Sequence, residues 1–162
     1  MSSQKKFSVL ILTIGIPGAG KTRWVEEYKK NHPLTYVIST DAIRKEVTGV
    51  EQCINPAQNS IMHEEARKRV QAIINDPASD GGIGPEIIVD STNVEVEEWM
   101  AYKSLGASAM IARVFDVSPE TAIARQNQRD RHVPEHIIKW KYNLLQSNKK
   151  FLPLLFNMIL YE

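Results

Sequence analysis

Read from its amino end, the chain alternates continuous apolar runs with stretches in which apolar residues recur every three or four positions. Phe7 to Ile14 is almost uninterrupted apolar sequence, rich in Ile, Leu and Val, as a strand covered on both faces requires. Lys21 to Lys30 reads as a helix that stops before Pro33. Leu34 to Ser39 is a second strand, and Asp41 to Val47 a short helix ending near Gly49. Residues 50–57 read as irregular. From Gln58 to Ile74 the residues Met62, Ala66, Val70 and Ile73/Ile74 mark one apolar face of a long helix. A breaker-rich loop, NDPASDGGIGP, leads to a third strand, Glu86 to Asp90. Thr92 and Glu95 have capping-box spacing and predict a helix from Asn93 to about Leu105. Ala107 to Val117 reads as a fourth strand, and Ser118-Pro119 opens another helix with a serine cap and a first-turn proline. After Pro134 a helix runs to about Lys149, and Phe156 to Tyr161 is a fifth strand.

This alternation predicts an α/β domain with a five-stranded parallel sheet, right-handed crossovers and helices on both faces. With 162 residues and no internal repeat, residues 1–162 are expected to form a single domain. Net charge is +1, so the molecule as a whole is no basic polyelectrolyte. Thr121 to Lys150 nevertheless carries seven Lys or Arg against two acids. Such a segment either faces phosphates or is a solvated helix surface. Cys53 is the single cysteine, which rules out an internal disulfide and fits a reducing compartment. No apolar run approaches the ~18–20 residues of a membrane span. Met1 to Lys6 puts lysines before an apolar run but lacks the cleavage site of a signal peptide. A cytoplasmic location is the expectation.

The turn after the first strand carries the chemistry. In GIPGAGKT, residues Gly15, Gly20, Lys21 and Thr22 fit G-x-x-x-x-G-K-[ST], the phosphate-binding loop. Glycines at 15, 18 and 20 allow backbone conformations and close approaches that a side chain would block. Successive N–H groups can then face one anion, and the following helix adds its positive dipole end. The predicted nucleotide-binding set is Gly15, Pro17, Gly18, Ala19, Gly20, Lys21 and Thr22. Lys21 would reach the outer phosphates, and Thr22 would ligate Mg²⁺.

Three further stretches bear on the reaction. In STDAIRKEVTG, Asp41 follows the second strand, at the carboxyl edge where open parallel sheets bind ligands. A carboxylate there can orient a hydroxyl and accept its proton. Arg44, three residues on, can share its helix face and hold an anionic acceptor. The competing reading is a helix-capping Asp41 and a solvated Arg44. In IIVDSTN, Asp90 ends the third strand, where it could orient metal-bound water or a lid arginine, or satisfy local turn amides. In RQNQRDRHVP, Arg125 and Arg129 share a helix face and Arg131 follows. Arginine forks neutralise the spread charge of a phosphoryl transition state, so this stretch reads as a lid over ATP, about residues 125–135. An ordinary basic helix surface is the alternative.

Taken together, these four stretches resemble the P-loop kinase module of polynucleotide 5'-hydroxyl kinases, the family of the bacteriophage end-healing enzyme and the bacterial kinase–phosphatase–ligase proteins. The resemblance spans about Phe7 to Tyr161. It implies a three-layer P-loop kinase fold with an arginine-bearing lid, ATP as donor and Mg²⁺ as cofactor. It implies transfer of the γ-phosphate to the 5'-hydroxyl of DNA or RNA. Lys21, Asp41, Arg125 and Arg129 become the catalytic set. Asp41 would be the general base, Arg44 a contact to the acceptor phosphate, Arg125 and Arg129 contacts to the ATP phosphates, and Asp90 part of the acceptor region. Some relatives place the acid directly before Thr-Asn, whereas here Ser91 intervenes. No phosphatase or ligase motif follows, so a stand-alone kinase module is expected, with any such partner a separate protein.

Other readings are a kinase of a small alcohol (nucleoside, sugar acid or antibiotic), an NTP-hydrolysing switch, and a non-catalytic nucleotide-binding scaffold. EIIVDSTN lacks the second acid of a switch, and the joint presence of Lys21 and Asp41 argues against a scaffold. His63-Glu64-Glu65 is no zinc-protease motif, because Arg67 stands where the second histidine is needed. His32, His132 and His136 are scattered, and Trp24, Trp99, Trp140, Tyr36 and Tyr102 read as packing residues.

Overall fold

The computed structural model describes residues 6–50, 56–76, 84–129 and 133–162. Strand β1 (Val9–Ile14) is the centre of a five-stranded sheet. On one side it pairs with β3 (Glu86–Asp90), which pairs with β2 (Tyr36–Ser39). On the other side lie β4 (Ala109–Val114) and then β5 (Met158–Tyr161). The order is β2-β3-β1-β4-β5 and every pairing is parallel. The register sets Ser39 opposite Asp90, so the chain leaves β2 and β3 at one carboxyl edge.

Burial follows from this order. Leu10 to Ile14 and Ile87 to Asp90 are buried throughout, as central strands require, while β5 is exposed at both ends. On one face Ile11 and Ile88 pack on Val25 of helix α1 (Lys21–Asn31), with Trp24 and Tyr28 alongside. On the other, Leu10, Leu12, Ile87 and Val89 meet the Met62, Ala66 and Val70 stripe of α3 (Pro56–Asn75). Trp99 and Tyr102 of α4 (Val96–Lys103) and Leu145 of α6 (Glu135–Asn148) complete this layer. Helices therefore cover both faces: this is the three-layer P-loop kinase fold. A smaller core of Ile16, Ala19, Phe115, Ala122 and Ile138 joins the turn after β1 to α5 (Pro119–Gln126) and α6. No helix among the described residues is long and apolar enough to cross a membrane.

The expected helix start at Asn93 is corrected. Helix α4 begins at Val96, and its cap Glu95 makes no side-chain capping bond. Asn93 instead has φ 45°, the left-handed region that asparagine tolerates. Its amide donates to Thr13 O at 2.9 Å, and Trp99 Nε1 donates to Asn93 O at 2.6 Å. Fully buried Asn93 thus ties the ends of β1 and β3 together, a long-range role that overrides the local capping pattern. The strands are shorter than expected at β2, β4 and β5, and α3 starts at Pro56, inside the stretch read as irregular. A 3₁₀ turn, Lys149–Phe151, and the one-turn helix α7, Leu152–Leu155, bury Leu152 before β5. The Ser118 cap with Pro119 in the first turn is observed, Ser118 Oγ accepting from Thr121 N.

Candidate active site

Where β1 ends, Gly15 lies so close to β4 that a Cβ would stand 2.8 Å from Phe115 O. Gly18 has φ 86°, and a Cβ there would meet Ala122 O at 2.6 Å. Gly20, at φ 96°, caps α1 with no side chain. No acid occupies the first turn of α1, so the positive end of its dipole is left for an external anion. A triphosphate fits this cradle on geometry: bare glycine backbone, an uncompensated helix start and a lysine. Lys21 is 8% exposed and its Nζ donates to Ile16 O at 2.6 Å. Burial above all, with Lys141 and Arg129 nearby, lowers its pKa from 10.5 to about 7, against the opposing pull of Asp90 and Asp41. Near neutral pH Lys21 thus carries only part of its charge, and an arriving phosphate would restore the rest.

Thr22 Oγ1 donates to Asp90 Oδ2 at 3.1 Å. Burial holds the Asp90 carboxyl above the usual carboxylate range, although Lys21 and Thr22 pull it down. Asp90 is therefore engaged with the phosphate loop itself rather than with turn amides. Two hard oxygens side by side suit Mg²⁺, which takes a few protein oxygens and completes its shell with phosphates and water. Among the described residues no group of three or more His, Cys, Asp or Glu could hold a metal by itself.

Across the cleft, helix α2 (Thr40–Thr48) is capped by Ser39, whose Oγ accepts from Ala42 N at 3.2 Å. Asp41 is thus not the capping residue. Its carboxylate accepts from Arg44 Nη1 at 2.8 Å. The Arg44 side chain is only 10% exposed, against 55% for Asp41, and its Nη2 donates to Asn59 Oδ1 at 3.3 Å. Asn59 steadies Arg44, Arg44 steadies Asp41, and the open carboxylate faces the cleft.

Helix α5 brings Arg125 over the loop, where Nη1 lies 3.4 Å from Gly18 O. Arg129 lines the same cleft. The ends of this segment are clamped by buried Gln126: Nε2 donates to Val133 O at 2.9 Å, and Oε1 accepts from Val133 N at 3.1 Å. Arg131, His132 and Cys53 lie outside the described residues. The structure therefore gathers Pro17 to Thr22, Asp41, Arg44, Asp90, Arg125 and Arg129 around one cleft of about 1810 Å³. Gly15 lies beneath it, against β4. This volume exceeds the ~300–1,000 Å³ of a single small-ligand pocket, leaving room for a donor and an acceptor together.

Several cleft residues escaped the sequence reading. Asn59, His63 and Arg67 recur at steps of four along α3 and line the cleft, flanking the buried Met62–Ala66–Val70 stripe. The same helical period that showed the apolar face also marks this polar one. His63 Nε2 is 3.7 Å from Glu98 Oε1. Burial, then Arg67, Arg44 and Lys141, depress the His63 pKa to about 4, and burial raises that of Glu98 to about 7. The contact is thus between a neutral imidazole and a carboxyl group, not an ion pair. Lys141 of α6 donates to Thr92 Oγ1 at 3.1 Å. Trp99 and Tyr102 are buried in the core as expected, but Trp140 is 52% exposed and lines the cleft. The packing role expected of Trp140 is corrected: the core side of α6 is carried by Ile138 and Leu145.

Comparison with known proteins agrees with this architecture. A chain in the structure of the Pnkp1/Rnl/Hen1 RNA repair complex superposes with a TM-score of 0.73 at 18% identity, covering 92% of this chain and 47% of that one. The chain thus spans about half the length of that repair protein. A gluconokinase from Sinorhizobium meliloti 1021 matches with a TM-score of 0.63 at 12% identity, covering 96% of this chain and 82% of the other. Shikimate kinase from Acinetobacter baumannii, in complex with shikimate, matches with a TM-score of 0.59 at 11% identity, covering 96% and 84%. At these identities the likeness is one of fold. The family model described as an AAA domain matches residues 10–145, and the chain belongs to that family.

Proposed function

We propose that this member of the AAA domain family is an ATP- and Mg²⁺-dependent phosphotransferase that phosphorylates the 5'-hydroxyl end of a DNA or RNA strand. One observation carries the reading: an open carboxylate, Asp41, is held by buried Arg44 in the cleft that the glycine cradle also lines. Asp41 orients the acceptor hydroxyl and takes its proton as the new bond to the γ-phosphorus forms and the bond to the β-phosphate oxygen breaks. Lys21 with Arg125 and Arg129 neutralises charge on the transferred group. Residues 125–135 act as the lid, with the Gln126–Val133 clamp fixing its ends. Thr22, with Asp90 behind it, would hold Mg²⁺, which supplies charge neutralisation at the phosphates.

A polynucleotide acceptor is favoured over a small alcohol by Trp140. An exposed indole beside basic side chains in one cleft is what single-stranded nucleic acid uses for stacking and backbone contact. Fold likeness to a chain of an RNA repair complex supports end healing of nucleic acid as the setting. Fold likeness to gluconokinase and shikimate kinase keeps a small sugar acid as the second reading. Incubation with γ-labelled ATP should label a 5'-hydroxyl oligonucleotide and leave gluconate and shikimate unlabelled. Label on a small alcohol with none on the oligonucleotide would overturn the first reading. ATP hydrolysis with no labelled acceptor would point to a switch.

A further inference from the structure

We infer that Arg67, with Lys141, forms a second anion subsite in the cleft that holds the next internucleotide phosphate of the acceptor strand, beyond the group facing Arg44. The inference rests on the polynucleotide reading. It starts from how the cations of the cleft are engaged. Arg44 is ion-paired with Asp41. Arg67 is half-buried in the same cleft, yet it forms no hydrogen bond or ion pair among the described residues. Lys141 is held by a neutral hydroxyl, that of Thr92. Carboxyl groups do line this part of the cleft, at Glu95, Glu97 and Glu98, but none pairs with either cation. Glu98, nearest in effect to both, is pushed up to about 7 by burial and by Glu95, so at neutral pH it supplies only part of a countercharge. A half-buried guanidinium with only part of a countercharge is costly unless a ligand completes it.

Helix register gives the direction. Asn59 touches Arg44, and Arg67 lies eight residues further on the same face of α3, hence about 12 Å along the axis at 1.5 Å per residue. The row Asn59–His63–Arg67 therefore leads away from the reacting hydroxyl at Asp41. An anion at its far end is separated from that hydroxyl by more than one nucleotide, as the second phosphate of a strand is. The shared chemistry is an oxyanion that a planar guanidinium fork can grip. It could come from a strand phosphate or from the carboxylate of a sugar acid, and the test separates the two.

The experiment compares kcat/KM for three acceptors: a nucleoside 3'-phosphate, a dinucleotide with a 3'-phosphate, and gluconate. For the wild-type protein the second phosphate should raise kcat/KM roughly 10- to 100-fold, the range of a charge-assisted contact. Arg67→Ala and Arg67→Gln should collapse that ratio to within about threefold, Arg67→Lys should keep part of it, and ATP affinity should stay unchanged as the control for folding. A dinucleotide advantage that survives in both neutral variants, with the strand still phosphorylated, overturns the subsite and leaves the kinase reading standing. Phosphorylation of gluconate alone overturns both.

Discussion

In the donor half of the cleft, five consecutive positions of one turn, Gly18 to Thr22, make most of the site. Their geometry is fixed by backbone, with positive φ at Gly18 and Gly20 and a buried Lys21 bonded to Ile16 O. In the acceptor half, Asp41 and Arg44 come from α2, Asn59 and Arg67 from α3, and Lys141 from α6. There the geometry is fixed by side chains bracing side chains. The contrast separates two demands. A triphosphate has the same shape in every such reaction, so a local backbone nest can hold it. The acceptor differs from enzyme to enzyme, and separate helices can be altered one side chain at a time without disturbing the nest. A gluconokinase and a shikimate kinase can share this fold for the same reason.

If the halves are separate in this sense, variants should split kinetically. Asp41→Asn should show the largest effect, a fall in kcat of about 10²–10⁴, the range of general-base catalysis, with ATP affinity nearly intact. Turnover near the wild-type rate would remove Asp41 as base. Lys21→Ala should lower kcat by about 10²–10³, as loss of one preorganised donor to transition-state charge does. In titrations with a non-hydrolysable analogue it should also weaken nucleotide binding, which Asp41→Asn should not.

A pH experiment sharpens the donor side. Lys21 faces Asp90, Asp41, Lys141 and Arg129, and its pKa is lowered to about 7. A triphosphate favours the charged lysine, so binding takes up a proton wherever the free protein has lost one. Affinity should be full below pH 7 and should fall as pH rises through and above it, by up to about tenfold per unit. Calorimetry in buffers of different ionisation enthalpy should show proton uptake at pH 8 that disappears in Lys21→Met. The smallest effect belongs to the acceptor side. Trp140→Ala should raise KM for an oligonucleotide roughly 5- to 100-fold, the worth of one stacked base. It should leave KM for ATP unchanged, and indole fluorescence should quench on strand binding.

The same contrast explains what could be read before any fold was known. The phosphate loop was legible because its function is local: β1, three glycines, Lys21 and Thr22 are contiguous, and each residue type has one physical task. The sheet was legible because central strands bury both faces and so read as unbroken apolar runs. Asp41 and Arg44 were legible as a pair because three residues of helix place them together. Arg67 and Lys141 were not, since only the packing of α3 and α6 brings them into one cleft with Arg44. Trp140 was misread because an aromatic on a helix is usually core, and nothing in its neighbours shows that Ile138 and Leu145 face inward instead. The turn at Asn93 failed for a related reason. Thr92 and Glu95 match a local capping pattern, but the position is governed by bonds to Thr13 and Trp99. Gln126 gave no signal at all, because its clamp depends on where the chain returns at Val133.

The most direct test is a crystal structure with Mg²⁺, a non-hydrolysable ATP analogue and a 5'-hydroxyl dinucleotide. The account predicts the triphosphate on the Gly18–Thr22 amides and the 5'-oxygen about 2.6–3.2 Å from an Asp41 carboxylate oxygen, in line with the terminal phosphorus. A triphosphate bound in the cradle with the dinucleotide lodged away from Asp41, or with a small acid taking its place in competition, would contradict it.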